Sequence, residues 1–284
     1  MTTKTYYVDG EFVAADAAVL PLADLSVLRG YGVFDLLRTY DGAPFRLDAH
    51  LERLERSAQA IGLTMPWSRA ELAELVLETY ARNALPNASI RLVVTGNVSA
   101  SFMLPDRPPL LAIMVDPVQP IAPDVYAAGA LAVTTRIPRV MAQVKSLNYI
   151  GAIMAMQAAK PLGAVEAIYC NAADELSEGT RCNLFVVRDG VVYTPGEDVL
   201  LGITRQGVLD AAAGAVEIVE QPVTLDDLRT ADEVFLTSTT KELLPIRQID
   251  DIVIGDGNPG PVTARLTTLF QDLVRREIAE IAVR

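Results

Sequence analysis

Alternating apolar and polar positions, interrupted by tight-turn signals, predict antiparallel β-hairpins at three places in the chain. The pair Asp9-Gly10 separates two β-rich runs, and Asp41-Gly42 and Asp189-Gly190 do the same further along. A two-residue type I′ turn needs a positive φ at both central residues, which Asp-Gly adopts readily. Each pair therefore predicts the turn of a hairpin.

Helical patterns separate these hairpins. Apolar residues at a spacing of three and four from Leu47 to Ile61 predict an amphipathic helix, with Asp48 as its N-cap and Gly62 at its end. Ser68 is followed three residues later by Glu71, the pattern of a capping box, which predicts the start of a second helix. A long amphipathic helix is predicted over 262–282, and strands are predicted over 89–95, 110–115, 130–135, 165–170 and 233–237.

The best linker candidate is Val115–Asp124, because it carries three prolines and no periodic pattern. The mixture of helices and hairpins predicts an α+β or α/β fold. We expect an N-terminal domain over 1–117, a linker over 118–123 and a larger C-terminal domain over 124–284.

The composition of the chain argues against several classes of function. The chain has 284 residues, is 51% apolar and carries a formal net charge of −12, which argues against nucleic-acid binding. Its two cysteines and the single histidine, His50, fit neither a disulfide framework nor a histidine-based metal site, so no metal is expected. The beginning, "MTTKTYYVDGEFV", lacks an apolar signal segment, and no apolar run is long enough to span a membrane. We therefore expect a cytoplasmic protein without a membrane partner.

One lysine lies in an unusual setting. The chain has only four lysines, and Lys145 begins an otherwise apolar, small-residue stretch, "KSLNYIGAIMAMQAA". Such a lysine can extend its ammonium group to water along an apolar surface. Alternatively, a partly desolvated amine has a lower pKa and attacks carbonyl carbon.

Three further segments offer weak signals of chemistry. Glu178 precedes Gly179 at the start of a strand-like run, where a surface turn is the simplest interpretation. The run Gly202-Ile203-Thr204 precedes an amphipathic helix, whose first N–H groups can bind an anion. A strand ends in four hydroxyl residues, Thr237 to Thr240, which form either a polar turn or an oxyanion cradle.

Together these segments resemble one enzyme family. The stretches "GYGVFDLLRTYDGAPFRLDAHLERL", "KSLNY", "ELSEGTRCNLFVV", "LLGITR" and "TSTTKELLPI" are similar to those of the class IV (fold-type IV) aminotransferases, which depend on pyridoxal 5′-phosphate (PLP). The resemblance covers nearly the whole chain. It implies a small N-terminal α/β domain, a larger C-terminal pseudo-barrel domain, PLP as cofactor, amino-acid and 2-oxo-acid substrates, and a homodimer.

The resemblance also implies roles for matching residues. Lys145 would bind the cofactor covalently and carry the proton, and Glu178 would pair with the pyridine nitrogen. Arg53 would bind the phosphate, since a dianion needs arginine and aligned N–H groups. The remaining cofactor contacts implied are the amides of Ile203 and Thr204, the Thr239 hydroxyl, Leu200 on the ring face and Tyr149 near the ring hydroxyl. His50 is interpreted as structural.

The chain departs from the substrate-binding motifs of two subfamilies. Branched-chain enzymes usually have Phe-Glu-Gly-Ile-Arg where this chain has Phe34-Asp35-Leu36-Leu37-Arg38, and they have tyrosine and proline where it has Ser89 and Leu92. The familiar D-amino-acid transaminases place an arginine near the end of that strand and a histidine after it. Here the strand ends at Thr95 without either.

Two other arginines offer a replacement carboxylate clamp. Arg29 and Arg91, with Phe34 and Thr240, are the predicted substrate-binding residues, and Arg29 could act in its own or in a partner subunit. "LSVLRGYGVFD" resembles class IV enzymes with such a pair. The prediction is a ping-pong D-amino-acid:2-oxo-acid transaminase acting on D-alanine or D-glutamate. The alternatives are an L-branched-chain aminotransferase, an aminodeoxychorismate lyase, an (R)-amine transaminase and a non-catalytic binding protein.

Overall fold

A computed structural model of the chain describes residues 4–282, which form two compact units. The chain leaves the first unit after Gln119, inside the segment predicted as a linker. A short part of the later sequence returns to the first unit. The first unit contains residues 4–119, 144–148 and 278–282, and the second contains residues 120–143 and 149–277.

The first unit is built on a six-stranded antiparallel sheet of order β2-β1-β6-β5-β3-β4. Its strands are β1 (Thr5–Val8), β2 (Glu11–Ala14), β3 (Gly32–Tyr40), β4 (Ala43–Pro44), β5 (Ala88–Thr95) and β6 (Leu110–Pro117). Its helices are α1 (Leu25–Arg29), α2 (Leu47–Ala60) and α3 (Arg69–Ala81), with a 3₁₀ turn at Ala15–Ala17.

Helices α2 and α3 pack against this sheet and against each other. Leu51 and Leu54 of α2 and Leu72 of α3 are completely or almost completely buried, as are Ile90 and Leu92 of β5. The alternation of buried residues along β5 follows the two-residue period of a strand with one face in the core. Each such side chain contributes about 1.5–3 kcal/mol to folding, relative to exposure to water.

The predicted boundaries of these helices are partly correct. The capping box of Ser68 and Glu71 is present at the start of α3, as expected. The expectation for α2 is wrong by two residues, because Arg46 is the N-cap and adopts φ +52° without a side-chain cap. Asp48 lies instead in the first turn, where a carboxylate interacts favourably with the helix dipole.

The three predicted Asp-Gly hairpins are confirmed. Asp9-Gly10 connects β1 to β2, and Asp41-Gly42 connects β3 to β4. All of these turn residues have positive φ, between +45° and +99°. In the second unit Asp189-Gly190 makes the same connection, with φ values of +51° and +78°. The required backbone conformation therefore explains the residue pair at each turn.

The second unit contains ten strands and most of the remaining helices. The strands are β7 (Ala130–Thr135), β8 (Glu166–Cys170), β9 (Glu175–Gly179), β10 (Asn183–Arg188), β11 (Val191–Thr194), β12 (Ile218–Glu220), β13 (Val223–Thr224), β14 (Glu233–Ser238), β15 (Glu242–Ile249) and β16 (Ile252–Val253). The helices are α4 (Pro123–Ala128), α5 (Ile150–Ala159), α6 (Ile203–Ala212), α7 (Leu225–Arg229) and α8 (Pro261–Ala282), with a 3₁₀ turn at Lys160–Leu162.

Six of these strands close into a ring. Their pairing runs β10-β14-β15-β7-β8-β9 and returns to β10 where Asn183 pairs with Glu178. Strand β7 pairs in parallel with β8 and with β15, whereas the other pairs of the ring are antiparallel. Closure places the ends of β9, β10 and β14 next to one another, and with them Glu178, Asn183 and Thr237. Within residues 4–282, no helix has both the length and the apolar character to cross a membrane.

Candidate active site

Lys145 lies on a short segment that runs alongside β3 of the first unit. The N–H of Phe34 donates to the Lys145 carbonyl at 2.9 Å, and the N–H of Leu147 donates to the Gly32 carbonyl at 2.9 Å. On its other side, the Lys145 N–H donates to the hydroxyl of Ser57, a buried residue of α2, at 3.2 Å. The backbone of Lys145 is thus fixed by a strand and a helix, while its side chain is half-buried.

The structure brings two predicted site residues, Lys145 and Arg91, to the ring of a third, Phe34. The Lys145 Nζ lies 4.7 Å from the ring centroid, and the guanidinium carbon of Arg91 lies 5.2 Å from it. The register of β3 and β5 explains this, because Arg91 pairs with Leu36, two residues from Phe34 and on the same face. Lysine and arginine at these distances make cation–π contacts.

Arg29 makes a different kind of contact. It is the last residue of α1, it is exposed, and its guanidinium donates to the carbonyl of Leu28 at 2.8 Å. Gly30 follows it as the C-cap in the left-handed conformation, with φ +65°. Of the two arginines predicted to bind substrate, Arg91 therefore lies beside the ring that Lys145 contacts, whereas Arg29 lies at an exposed helix end.

Arg53 has a buried acidic partner that the sequence motifs did not single out. Its Nε donates to Asp35 Oδ2 and its Nη2 donates to Asp35 Oδ1, both at 2.8 Å. The His50 Nδ1 lies 2.7 Å from Asp35 Oδ1. A carboxylate only accepts hydrogen bonds, so Nδ1 carries the proton. Asp35, His50 and Arg53 are at most 4% exposed, and His50 thus supports the carboxylate that holds Arg53.

Electrostatics fixes the charge of this trio. Burial alone would raise the pKa of Asp35, but the charges of Arg53 and His50 and their hydrogen bonds hold it well below its usual range. Burial lowers the pKa of His50 and outweighs the opposing effect of Asp35, with the charges of Arg53 and Lys145 adding to the decrease. At neutral pH Asp35 is therefore a carboxylate and His50 a neutral imidazole.

Glu178 in the second unit is also buried and held by two donors. It is 3% exposed, so the interpretation of a surface turn is wrong. Arg139 Nε donates to its Oε1 at 2.7 Å, and the backbone N–H of Leu200 donates to its Oε2 at 3.0 Å. Arg139 was not predicted, because it lies 39 residues away in a segment without a motif.

Arg139 connects Glu178 to two tyrosines. Its guanidinium carbon lies 5.9 Å from the ring centroid of Tyr169. Burial lowers the pKa of Arg139, but the charge and hydrogen bond of Glu178, with further contributions from Tyr149 and Tyr169, raise it overall. Tyr149, a predicted cofactor contact, is the N-cap of α5 and lies close enough to Arg139 to influence its pKa.

The first turn of α6 forms a cradle without a side-chain cap. Gly202 is its N-cap, and within the described part of the chain this helix start has no side-chain cap hydrogen bond. A Cβ at Gly202 would overlap with Asn183 Oδ1, so any other residue would displace Asn183 or the helix start. Asn183 in turn donates to the Leu200 carbonyl at 2.8 Å. Uncapped amides at a helix start suit a phosphate group.

Hydroxyl groups lie at the end of β14, on the strand that pairs with the start of β10. Thr237 pairs in register with Asn183 and is 1% exposed, and its Oγ1 has no hydrogen-bond partner among the described residues. The half-buried Thr239 and Thr240 follow in the turn to β15. An orphaned buried hydroxyl, an uncapped helix start and a glycine cradle together fit a phosphate-bearing cofactor.

The chain is similar to known enzymes over nearly its full length. The family model for amino-transferase class IV matches residues 32–249. A putative branched-chain-amino-acid aminotransferase of Methanocaldococcus jannaschii is 36% identical over 278 residues, covering 94% of this chain and 95% of its own. A D-alanine aminotransferase of Listeria monocytogenes is 33% identical over 282 residues, covering 96% and 97%.

Solved structures agree in fold. The crystal structure of the T.th. branched-chain amino acid aminotransferase with pyridoxamine 5′-phosphate has a TM-score of 0.91 and 30% identity, covering 96% of this chain and 95% of its own. The predicted fold-type IV architecture is therefore confirmed. The prediction of PLP as the cofactor of the family is confirmed as well. The chain belongs to the class IV aminotransferases, a family of PLP-dependent enzymes.

Proposed function

We propose that the protein transfers the amino group of a D-amino acid to a 2-oxo acid. The observation that carries the amino-acid part of this proposal is Arg91, whose guanidinium contacts the same Phe34 ring as the Lys145 amine. The choice of the D-enantiomer rests on the segment "LSVLRGYGVFD", which resembles class IV enzymes with an Arg29 and Arg91 pair. A guanidinium close to the reacting amine suits a substrate with a carboxylate next to its amino group. The absence of the branched-chain motif residues at Ser89 and Leu92 supports the same choice.

We assign the cofactor contacts residue by residue. In the first unit, Lys145 would bind the cofactor through its Nζ and Arg53 would bind the phosphate, with Asp35 fixing the orientation of the guanidinium. In the second unit, Glu178 would pair with the pyridine nitrogen. Arg139 and the Leu200 N–H hold its carboxylate in a fixed orientation for this contact. The other proposed contacts are Leu200 on the ring face, Tyr149 at the ring hydroxyl, and Ile203, Thr204 and Thr239 at the phosphate.

The chain's own residues then have defined tasks. The bound cofactor supplies an electron sink, which acidifies the Cα–H bond of the amino acid. Lys145 Nζ would hold and move the proton of the substrate Cα, while Arg91 and Thr240 would orient the carboxylate. Glu178 keeps the pyridine nitrogen protonated, and Phe34 borders the space where the substrate lies beside Lys145.

The direct test is a half-reaction screen with D- and L-enantiomers. The purified protein, loaded with PLP, is mixed with D-alanine, D-glutamate, L-alanine, L-glutamate and L-leucine, and the cofactor absorbance is followed. We expect fast conversion with the D-enantiomers and amino transfer to a 2-oxo acid added afterwards. Conversion by L-amino acids alone would overturn the proposal.

An L-branched-chain aminotransferase is the second candidate. The relative from Methanocaldococcus jannaschii and the solved enzyme with pyridoxamine 5′-phosphate carry that name, and they are similar to this chain over almost their whole lengths. The same screen separates the two candidates, because L-leucine would then be the best amino donor.

The two arginines can be tested separately. We expect Arg91→Leu to raise KM for D-alanine by about 10–100-fold, because a charged hydrogen bond to the carboxylate is lost. Its KM for (R)-1-phenylethylamine, which has no carboxylate, should hardly change. Arg29→Leu is the matched variant, and an equal rise of KM there would add Arg29 to the substrate contacts. Equal losses of Arg91→Leu on both substrates would give this residue a structural role.

We also propose that the protein is a homodimer in the cytoplasm. Support for the dimer comes from the apolar surface of α5, where Ile150, Ile153 and Met154 are 55–70% exposed. Sedimentation at micromolar concentration tests the dimer, and fractionation of the producing cells tests the location. A monomer under those conditions would contradict the first expectation.

A further inference from the structure

A buried carboxylate in the second unit has no part in the function described so far. Glu166, the first residue of β8, is completely buried. Its Oε2 accepts a hydrogen bond from Lys241 Nζ at 2.6 Å, and its Oε1 accepts one from the Thr180 hydroxyl. The guanidinium of Arg181 lies 3.6 Å from Oε2 at the edge of the group.

Lys241 belongs to the turn that carries the proposed ligand hydroxyls. Because Ser238 pairs with Glu242, the residues between them, Thr239 to Lys241, form the β14–β15 turn. Glu242 has φ +53°, a conformation that residues other than glycine adopt rarely. The Lys241 side chain points inward and is 6% exposed. Tyr126 adds a hydrogen bond from its hydroxyl to the Lys241 carbonyl at 2.8 Å.

Thr180 belongs to the segment that follows Glu178. Its N–H donates to the Ala167 carbonyl at 2.9 Å, directly after Glu166 in the chain. Gly179 packs so closely that a Cβ would lie 2.9 Å from the Glu166 Cγ. One carboxylate thus contacts both the hydroxyl turn and the end of the strand that carries Glu178.

Stability alone does not explain a charged pair at this place. Taking a lysine and a glutamate out of water costs as much as their attraction returns, so an apolar pair of similar volume is often equally stable. Burial alone would raise the pKa of Glu166, but the charges of Lys241 and Arg181 lower it overall, so the carboxylate stays ionised. Such a pair instead fixes geometry, because its directional hydrogen bonds allow only one arrangement of the β14–β15 turn and the end of β9.

We propose that Glu166 and Lys241 are positioning residues that hold the Thr239–Thr240 turn and the Glu178 strand in one fixed arrangement. The proposal rests on the function assigned above to Thr239, Thr240 and Glu178. The ion pair acts on substrate carboxylate and cofactor phosphate through the turn that it anchors.

The test removes both charges and keeps the acceptor for Thr180. In the full-length double variant Lys241→Met/Glu166→Gln, with PLP added, we expect KM for D-alanine to rise about tenfold and the Kd of PLP to rise several-fold, with kcat within about threefold. The melting temperature should stay close to that of the parent protein. Lys241→Arg with the parental Glu166 should recover part of the KM, because a charged donor to Glu166 remains. Glu166→Gln with the parental Lys241 leaves a buried lysine without its counter-charge, so its melting temperature should fall below that of the double variant.

A second measurement does not depend on the reaction. Hydrogen–deuterium exchange should become faster in peptides covering 236–243 and 176–183 of the double variant, and stay unchanged elsewhere. Arg188→Met is the control, since Arg188 pairs with Asp227 at the end of β10 opposite to Asn183. Exchange and KM equal to those of the control would overturn the positioning role. If the parent protein neither binds PLP nor transfers amino groups, the proposed function fails, and the exchange rates at the turn alone decide the role of the pair.

Discussion

The two units each contain a buried arginine–carboxylate pair. In the first unit the arginine is the proposed ligand contact, whereas in the second unit it is the carboxylate. In the first unit Asp35 supports Arg53, which we assign to the phosphate. In the second unit Arg139 supports Glu178, which we assign to the pyridine nitrogen. Arg53 donates to Asp35 through Nε and Nη2, and both side chains are at most 5% exposed, whereas Arg139 donates to Glu178 through Nε and is 15% exposed.

The difference shows how one interaction type can serve two purposes. The fork of two bonds to Asp35 fixes the plane of a guanidinium that has to meet a phosphate. Arg139 donates to one oxygen of Glu178 and the Leu200 N–H donates to the other, which fixes the orientation of the carboxylate. We therefore expect damage to the first pair to appear mainly as lost stability, and damage to the second mainly as lost catalysis.

The largest expected effect breaks the first pair. Asp35→Asn leaves the Arg53 charge buried without its counter-charge, so the free energy of unfolding should fall by about 3–5 kcal/mol. Urea unfolding measures this, and the double variant Asp35→Asn/Arg53→Gln should recover part of the loss. Unchanged unfolding would contradict the description of Asp35 and Arg53 as a buried, mutually neutralising pair.

The second prediction breaks the other pair. Glu178→Gln keeps the shape of the side chain but removes its charge, so kcat/KM should fall by about 10²–10³-fold. Unfolding should change less than in Asp35→Asn, because Arg139 is more exposed and water can solvate it. A variant with full activity would refute the role of Glu178.

The third prediction uses acid to test the trio of Asp35, His50 and Arg53. Both His50 and Asp35 have folded pKa values below their ordinary values of 6.5 and 3.8, so the unfolded chain binds protons that the folded chain refuses. Stability contributed by this trio is complete above pH 6.5 and should fall as the pH drops through about 6.5 and then through about 4. Melting temperatures across this acidic range measure the decline. In His50→Asn the part of the decline near pH 6.5 should be absent, because that part comes from His50.

The fourth prediction concerns the uncapped start of α6. Gly202→Ala introduces a Cβ that overlaps with Asn183 Oδ1, which displaces either the helix start or the Asn183–Leu200 contact. We expect the Kd of PLP to rise about tenfold, because phosphate binding depends on the aligned amides. Gln206→Ala, on the exposed side of the same helix, is the control. Equal Kd values in both variants would exclude the cradle from phosphate binding.

The smallest expected effect gives a baseline for the first unit. Ser68→Ala removes the capping box of α3 and should lower the free energy of unfolding by about 1 kcal/mol without altering turnover. Ser68→Asp retains an N-cap acceptor and should restore most of the loss. A loss as large as that of Asp35→Asn would remove the distinction between a surface cap and the buried trio.

Local features of the fold could be predicted from the sequence because their cause is local. The Asp-Gly turns need only two residues with positive φ, and the Ser68 capping box needs only a spacing of three. Arg46 shows the limit, since a left-handed N-cap without a side-chain bond leaves no signature in the residue type.

The candidate site was predictable only as far as motifs extended. Resemblance to the family indicated Lys145, Glu178 and Arg53, but not what holds them. Arg139 reaches Glu178 over 39 positions, and Lys241 reaches Glu166 over 75. Such partners depend on how distant strands pair, which a single sequence does not specify. Asp35 left a signal, an acidic residue inside an apolar strand, that could have been used.

The return of residues 144–148 to the first unit has a consequence for anyone who wishes to divide the protein. Cutting the chain at Gln119 would yield a fragment without its Lys145 segment, although every strand of its sheet would be present. The edge of β3 at Gly32 and Phe34 would then lose its hydrogen-bond partners and be open to pairing with another chain. The first unit is therefore not a self-sufficient domain. Expressed alone, it would be prone to aggregate through the same edge that fixes the backbone of Lys145 in the intact protein.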